Sequence, residues 1–217
     1  FSTMVDVCRA LKAPILHLQT SPSMRMESGV CRDAYDFFRS VLPKDVRVAL
    51  EVRGGFNASV LDLMEDLNII PCVDISREAM PFQSDTLYTR LFGRGYHTLY
   101  EFDDEELKEI EEKVKGGCYK EAYLVFHSLK MYEDAWRFKH HLEKGYFPQP
   151  KGSVGAAALR EVLVTVNFPC SKDDILKRVG WRSIDTCSGR IHVWKILNAI
   201  PNRIYLSVDD VLKEVSL

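Results

Sequence analysis

The strongest constraint on the fold is an alternation that fills the first two thirds of the chain. Short, mostly apolar runs at 14–20, 46–53, 69–75, 86–92 and 122–127 are separated by stretches with helical periodicity. Tyr35, Phe37, Phe38 and Leu42 place one apolar face over 31–42. Val60, Leu61, Leu63, Met64 and Leu67 do so over 58–67, and Leu107, Ile110 and Val114 over an acidic 103–115. A last helix is expected over 132–143. Strands alternating with helices at this spacing predict βαβ units and a parallel sheet. Such strands are apolar along most of their length because helices cover them.

The polar residues of these runs gather toward their carboxyl ends: Gln19, Glu51, Arg53, Asp74, Arg90, His127 and Ser128. In parallel α/β folds that edge is where ligands bind. Glu51 and Arg53 stand two apart on one strand and so share a face. An Arg there suits a phosphate or carboxylate, and a Glu suits a proton or a metal. The functional expectation is Glu51, Asp74 and His127 as catalytic groups, with Gln19, Arg53, Arg90 and Ser128 as ligand contacts. The bland alternatives are a structural ion pair for Glu51 and Arg53, a turn cap for Asp74 and an ordinary hydrogen bond for His127. Arg90, among leucines, needs a partner, either Glu51 or Asp74. His17 shares a face with Gln19 and reads as a satisfied core histidine, and His140 and His141 as surface residues. No metal site is expected from these residues, and no cofactor is assigned. No dinucleotide fingerprint, phosphate-binding loop, nucleophile elbow or H-E-x-x-H motif occurs.

Composition narrows the class further. At 217 residues, 46% hydrophobic and 28% charged, the chain has the balance of a globular protein, without the signature of a disordered or disulfide-dense one. A net charge of −2 gives no global basic field for nucleic acid. No run nears the roughly 18–20 apolar residues that span a bilayer, so no membrane partner is expected. The six cysteines are scattered, with no C-x-x-C pair. They are expected to be reduced thiols in a cytoplasmic protein.

From about 146 the pattern changes. Residues 146–153, with two prolines and a glycine, read as a linker. A small, mainly helical module is expected over 149–217, set apart from 1–148. Ser171 with Asp174, and Ser207 with Asp210, are helix-start cues. Residues 151–217 hold ten Lys and Arg against seven Asp and Glu. Lys172, Lys177, Arg178, Arg182 and Arg190 are the candidate contacts to DNA or a partner there.

Several pieces, in order, resemble the DUF72 family. They are Leu16-His17-Leu18-Gln19-Thr20-Ser21-Pro22-Ser23, Ala49-Leu50-Glu51-Val52-Arg53 and Leu87-Tyr88-Thr89-Arg90-Leu91-Phe92-Gly93. Glu105-Glu106-Leu107, Tyr123-Leu124-Val125-Phe126-His127-Ser128 and Asp134-Ala135-Trp136-Arg137-Phe138 complete the match, whose flavour is that of archaeal members. The resemblance implies a parallel (β/α) barrel of TIM type. The family's opening glycine-tryptophan motif has no counterpart here, and His127-Ser128 stands where family members carry an Asn pair. A full barrel needs about 250 residues, so the N-terminal part of the barrel is expected to be lacking, the alternatives being completion by another chain or a smaller open sheet.

Two functions follow as expectations. One is an enzyme acting on a phosphate-bearing small molecule or nucleic acid at the strand ends, by fold-level analogy with barrel nucleases. The other is a non-enzymatic binding or adaptor protein whose C-terminal module contacts DNA or a protein partner. A blander role for that module is to dock on the barrel through Trp181, Trp194 and Ile196.

Overall fold

The computed structural model describes residues 1–95 and 99–216. Helix α1 (Ser2–Leu11) leads into β1 (Ile15–Gln19), α2 (Ser28–Val41), β2 (Arg47–Glu51), α3 (Ala58–Asp66), β3 (Ile70–Val73) and β4 (Thr86–Leu91). Helix α4 (Asp104–Gly116), β5 (Glu121–Phe126) and α5 (Met131–Lys144) follow. Each of the five expected strands is present, the first four shortened by one to three residues and the fifth shifted by one. They form one curled parallel sheet in the order β1-β2-β3-β4-β5, a half-barrel.

The two faces of this sheet differ. Leu16, Val48, Leu50, Val73, Leu87 and Leu91 are buried on one face. The other carries His17, Gln19, Arg47, Glu51, Cys72, Tyr88, Arg90 and Tyr123. Parallel register aligns the polar face in rows. Gln19 pairs with Glu51, and Cys72 pairs with Tyr88. Two residues on from the Ala49–Ile70 pair, Glu51 stands beside Cys72. Toward the amino ends, Arg47 forms a second polar row. It donates to Thr86 Oγ1 at 2.7 Å and to Glu121 Oε2 at 2.5 Å.

Local signals set the helices. Asn57 caps α3 by accepting from the Val60 amide, while its own Nδ2 donates to Met26 O. Asp104, Glu105 and Glu106 fill the first turn of α4, where carboxylates favour the helix dipole. Gly145, at φ 81°, ends α5 in the left-handed region that glycine adopts without strain.

Two compact units are present. One comprises Phe1–Arg90 and Val114–Val125, the other Leu91–Lys113 and Phe126–Leu217. The first holds a core around Val48, Leu50, Val60, Leu63, Met64 and Ile69. In the second, the C-terminal elements are α6 (Ala156–Leu163), β6 (Cys170–Ser171), α7 (Lys172–Val179), β7 (Ser183–Thr186) and β8 (Gly189–His192). Helix α8 (Val193–Leu197), β9 (Ile204–Tyr205) and α9 (Val208–Leu212) complete the chain. Their core gathers Leu159, Leu163, Ile175, Val193, Leu197, Tyr205 and Val211. β7 and β8 form an antiparallel hairpin, and β6 pairs antiparallel with β9. Ser171 and Asp174 make a reciprocal capping box at α7. Ser207 caps α9 by accepting from the Asp210 amide.

All six cysteines are free thiols. Among the described residues, no helix is long and apolar enough to cross a membrane.

Candidate functional site

Glu51, the last residue of β2, is the centre of the polar row. Arg90 Nη1 donates to its Oε2 at 2.5 Å, and Gln19 Nε2 donates to its Oε1. Arg53 Nε lies 3.7 Å from Oε1, and His17 Nε2 lies 3.5 Å from Oε2. Burial alone would raise the Glu51 carboxyl. The His17, Arg90 and Gln19 groups outweigh it and hold the carboxyl at about 2. Glu51 is therefore ionised at neutral pH. It can accept a proton or hold a cation, and it cannot serve there as a general acid.

The backbone fixes the rim of this cluster. Thr20 N donates to Glu51 O, and Arg53 N donates to Thr20 Oγ1, each at 3.0 Å. This clips the carboxyl ends of β1 and β2 together. The arginines then divide by exposure. The Arg90 side chain is 16% exposed and committed to Glu51, whereas Arg53 is 41% exposed. The imidazole of His17 stacks on Tyr88, with ring centres 5.4 Å apart and planes 11° apart. Cys72 is buried behind them. Burial, with the Glu51 charge second, pushes its thiol up to about 12.

Glu51 thus gathers three of the other expected site residues around it: Gln19, Arg53 and Arg90. Asp74 serves the following turn instead. It accepts from the Ser76 amide at 2.9 Å and the Ser76 hydroxyl at 2.5 Å, and lies 3.5 Å from Arg77 Nε. His17, expected as a satisfied core histidine, is only part-buried, and its Nε2 makes no hydrogen bond among the described residues. The signal that marks it in the sequence is its parity with Gln19 on β1, a parity that a core histidine shares. Cys72 carried none, since a cysteine in an apolar strand reads as filler.

His127 and Ser128 belong to the second unit. The His127 ring meets Phe92 edge-on at 4.8 Å. Ser128 is fully buried, and its hydroxyl donates to Asp134 Oδ2 at 2.6 Å. Asp134 also accepts from Arg137 Nη1 at 3.3 Å, yet burial pushes its carboxyl up to about 6. His141, expected at the surface, is 11% exposed. The linker ring of Phe147 stacks on it at 4.3 Å, and Glu111 lies 2.9 Å from its Nε2.

The acidic residues 101–106 engage the C-terminal elements through polar contacts. Glu101, wholly buried, accepts from the Ser183 amide at 3.0 Å and its hydroxyl at 3.1 Å. Asp104 accepts from the Arg190 amide at 2.9 Å. Glu106 Oε2 lies 2.8 Å from His192 Nε2, and Lys195 Nζ donates to Asp103 Oδ2 at 2.8 Å. Trp194, a residue suited to apolar docking, is 42% exposed.

Of the five basic residues singled out for DNA, three have internal partners. Lys172 Nζ donates to the Asn198 and Ile200 carbonyls, Arg182 lies 3.6 Å from Glu101, and Arg190 pairs with Asp185. Lys177 and Arg178 line an open groove with Asn167, Cys170 and Asp174.

No curated protein and no solved structure matches the chain. The family described as "Protein of unknown function DUF72" matches residues 3–153, beyond which the C-terminal segment extends. That match covers more than half of the chain, and the chain belongs to the DUF72 family.

Proposed function

We propose that the Glu51 cluster takes a phosphate-bearing ligand, a small molecule or a nucleic-acid end, and that the protein acts on it as an enzyme. The observation that carries this is the Arg53 guanidinium. It stands part-exposed at the carboxyl end of β2, beside a carboxylate held ionised. A planar guanidinium at a strand end is a bidentate partner for phosphate. Arg90 and Gln19 orient Glu51, which acts as base toward a proton on the ligand or on an attacking water.

The test measures binding of inorganic phosphate and of a 5′-phosphorylated oligonucleotide, and release of phosphate from the latter. Arg53→Ala is expected to weaken binding roughly tenfold or more, the scale of a lost charge-assisted contact. Glu51→Gln is expected to retain binding and lose turnover. Equal binding by the wild type and Arg53→Ala overturns the assignment.

The open groove beside Lys177 and Arg178 favours a second role, a non-enzymatic DNA or protein adaptor. Salt-dependent duplex binding that is lost in Lys177→Ala/Arg178→Ala would support it.

A further inference from the structure

We propose that His17, Glu51 and Cys72 form a binding site for one divalent transition-metal ion of the zinc class. Their ligand atoms, an imidazole nitrogen, a carboxylate oxygen and a thiol sulfur, all lie within 4.8 Å of one another. The proposal rests on the Glu51 cluster being the working site, and there the ion supplies an electrophile, with Glu51 as its ligand in place of the base role it has without the ion.

The donor set selects the metal. A nitrogen, an oxygen and a sulfur suit zinc, cobalt or iron, whereas magnesium and calcium take oxygen ligands. Bonds of roughly 2.0–2.3 Å place tetrahedral ligand atoms about 3.3–3.8 Å apart. His17 Nε2 and Glu51 Oε2 are already 3.5 Å apart. The widest pair needs about 1 Å of closure on that geometry, within reach of side-chain rotation. Three protein ligands leave a fourth position for water or substrate, the pattern of catalytic rather than structural zinc.

An independent observation points the same way. His17 Nε2 is a buried atom with no hydrogen-bond partner among the described residues, although a carboxylate is close by. A buried polar nitrogen that makes no hydrogen bond is uncommon. A metal ion satisfies its lone pair. Arg90 and Gln19 do not exclude the ion, since an ionised carboxylate offers about four lone-pair positions. They become the outer hydrogen bonds that hold a ligating carboxylate in place. Loading forms a metal–sulfur bond and releases the Cys72 thiol proton to water, with no change of oxidation state.

Among the described residues one other such cluster occurs, Asp103, Glu106 and His192, and its facing ligand atoms already have partners, although His192 Nδ1 makes no hydrogen bond. Lys195 Nζ is the cation at Asp103, and Glu106 bonds both His192 and Tyr100.

The experiment is a cobalt(II) titration of the chelator-treated full chain. Cys118 and Cys187 are exposed and are first changed to Ser to remove adventitious thiols. One equivalent is expected to bind, with a near-ultraviolet thiolate-to-cobalt band and visible bands of tetrahedral intensity. Cys72→Ser is expected to lose the near-ultraviolet band. His17→Gln, at a part-exposed position, is expected to weaken binding roughly tenfold or more. No spectral change at tenfold excess cobalt on folded protein overturns the proposal, as does a thiolate band that survives Cys72→Ser. Arg53→Ala separates the two assignments. Phosphate binding unaffected in Arg53→Ala while cobalt still binds sinks the anion site alone, and phosphate binding weakened by Arg53→Ala in a protein that binds no cobalt even without that substitution sinks the metal alone.

Discussion

Arg90 Nη1 reaches from β4 across β3 to donate to Glu51 Oε2 on β2, at 2.5 Å. The pair ties non-adjacent strands on the polar face of the sheet. Removing the guanidinium leaves a largely buried carboxylate without its main charge partner, which costs more than the pair itself contributes. Arg90→Ala is expected to lower stability at pH 7 by about 2 kcal/mol, with Arg90→Lys recovering part of it. Urea denaturation reads both, and a loss below the error of the extrapolation would show the pair to be decorative.

Glu51 links this pair to acid stability. Its folded value, about 2, lies below the ordinary 4.5. Its stabilisation is therefore present above pH 4.5 and is lost as pH falls through 4.5 toward 2. Glu51→Gln should flatten the wild-type loss of stability between pH 5 and 2 by about 1–2 kcal/mol, below the full linkage value because solvent screens the cluster. Parallel curves for the two proteins across that interval would refute the depressed carboxyl.

Much of this was legible in the sequence, and the reasons differ by element. The five strands were legible because each is an apolar run closed by polar or glycine residues. Arg90 was legible as a residue needing a carboxylate, because a charge among leucines must be compensated. The part of Cys72 was not, because it depends on the register that sets β2 beside β3, and one slipped residue would reverse the faces. The contacts of Glu101, Asp103 and Asp104 with Ser183, Lys195 and Arg190 were also hidden. They join residues far apart in sequence, and a surface acidic helix has the same composition as a buried docking edge.

Asp134 titrates in the opposite sense. Burial lifts its carboxyl to about 6 against the bonds from Ser128 and Arg137. The native state then binds a proton that the unfolded chain has released above pH 3.8. The contribution is complete below pH 3.8 and is lost as pH rises through 6. Asp134→Asn keeps an acceptor for Ser128 Oγ and removes this slope, so the stability of the variant should fall less than that of the wild type between pH 4 and 7. A carboxyl carbon titration by NMR should place the Asp134 midpoint near 6, and a midpoint at or below 4 would contradict the assignment.

Glu101 gives the sharpest test of how the C-terminal segment is held. Its wholly buried carboxylate accepts from the Ser183 amide and hydroxyl, with Lys130 Nζ at 3.5 Å and Arg182 Nε at 3.6 Å. Glu101→Ala deprives a buried amide of its acceptor and two cations of their counter-charge. Such losses cost about 3–5 kcal/mol when one side of a buried pair is removed. Glu101→Gln keeps an acceptor for Ser183 and should cost less, because only the charge is lost. Hydrogen exchange separates these outcomes. In Glu101→Ala the amides of 183–192 should exchange faster by tenfold or more while those of β1–β3 stay protected, since the lost contacts lie within the second unit. Uniform acceleration across the chain would mean that the Glu101 contacts belong to one global folding unit rather than to a local dock.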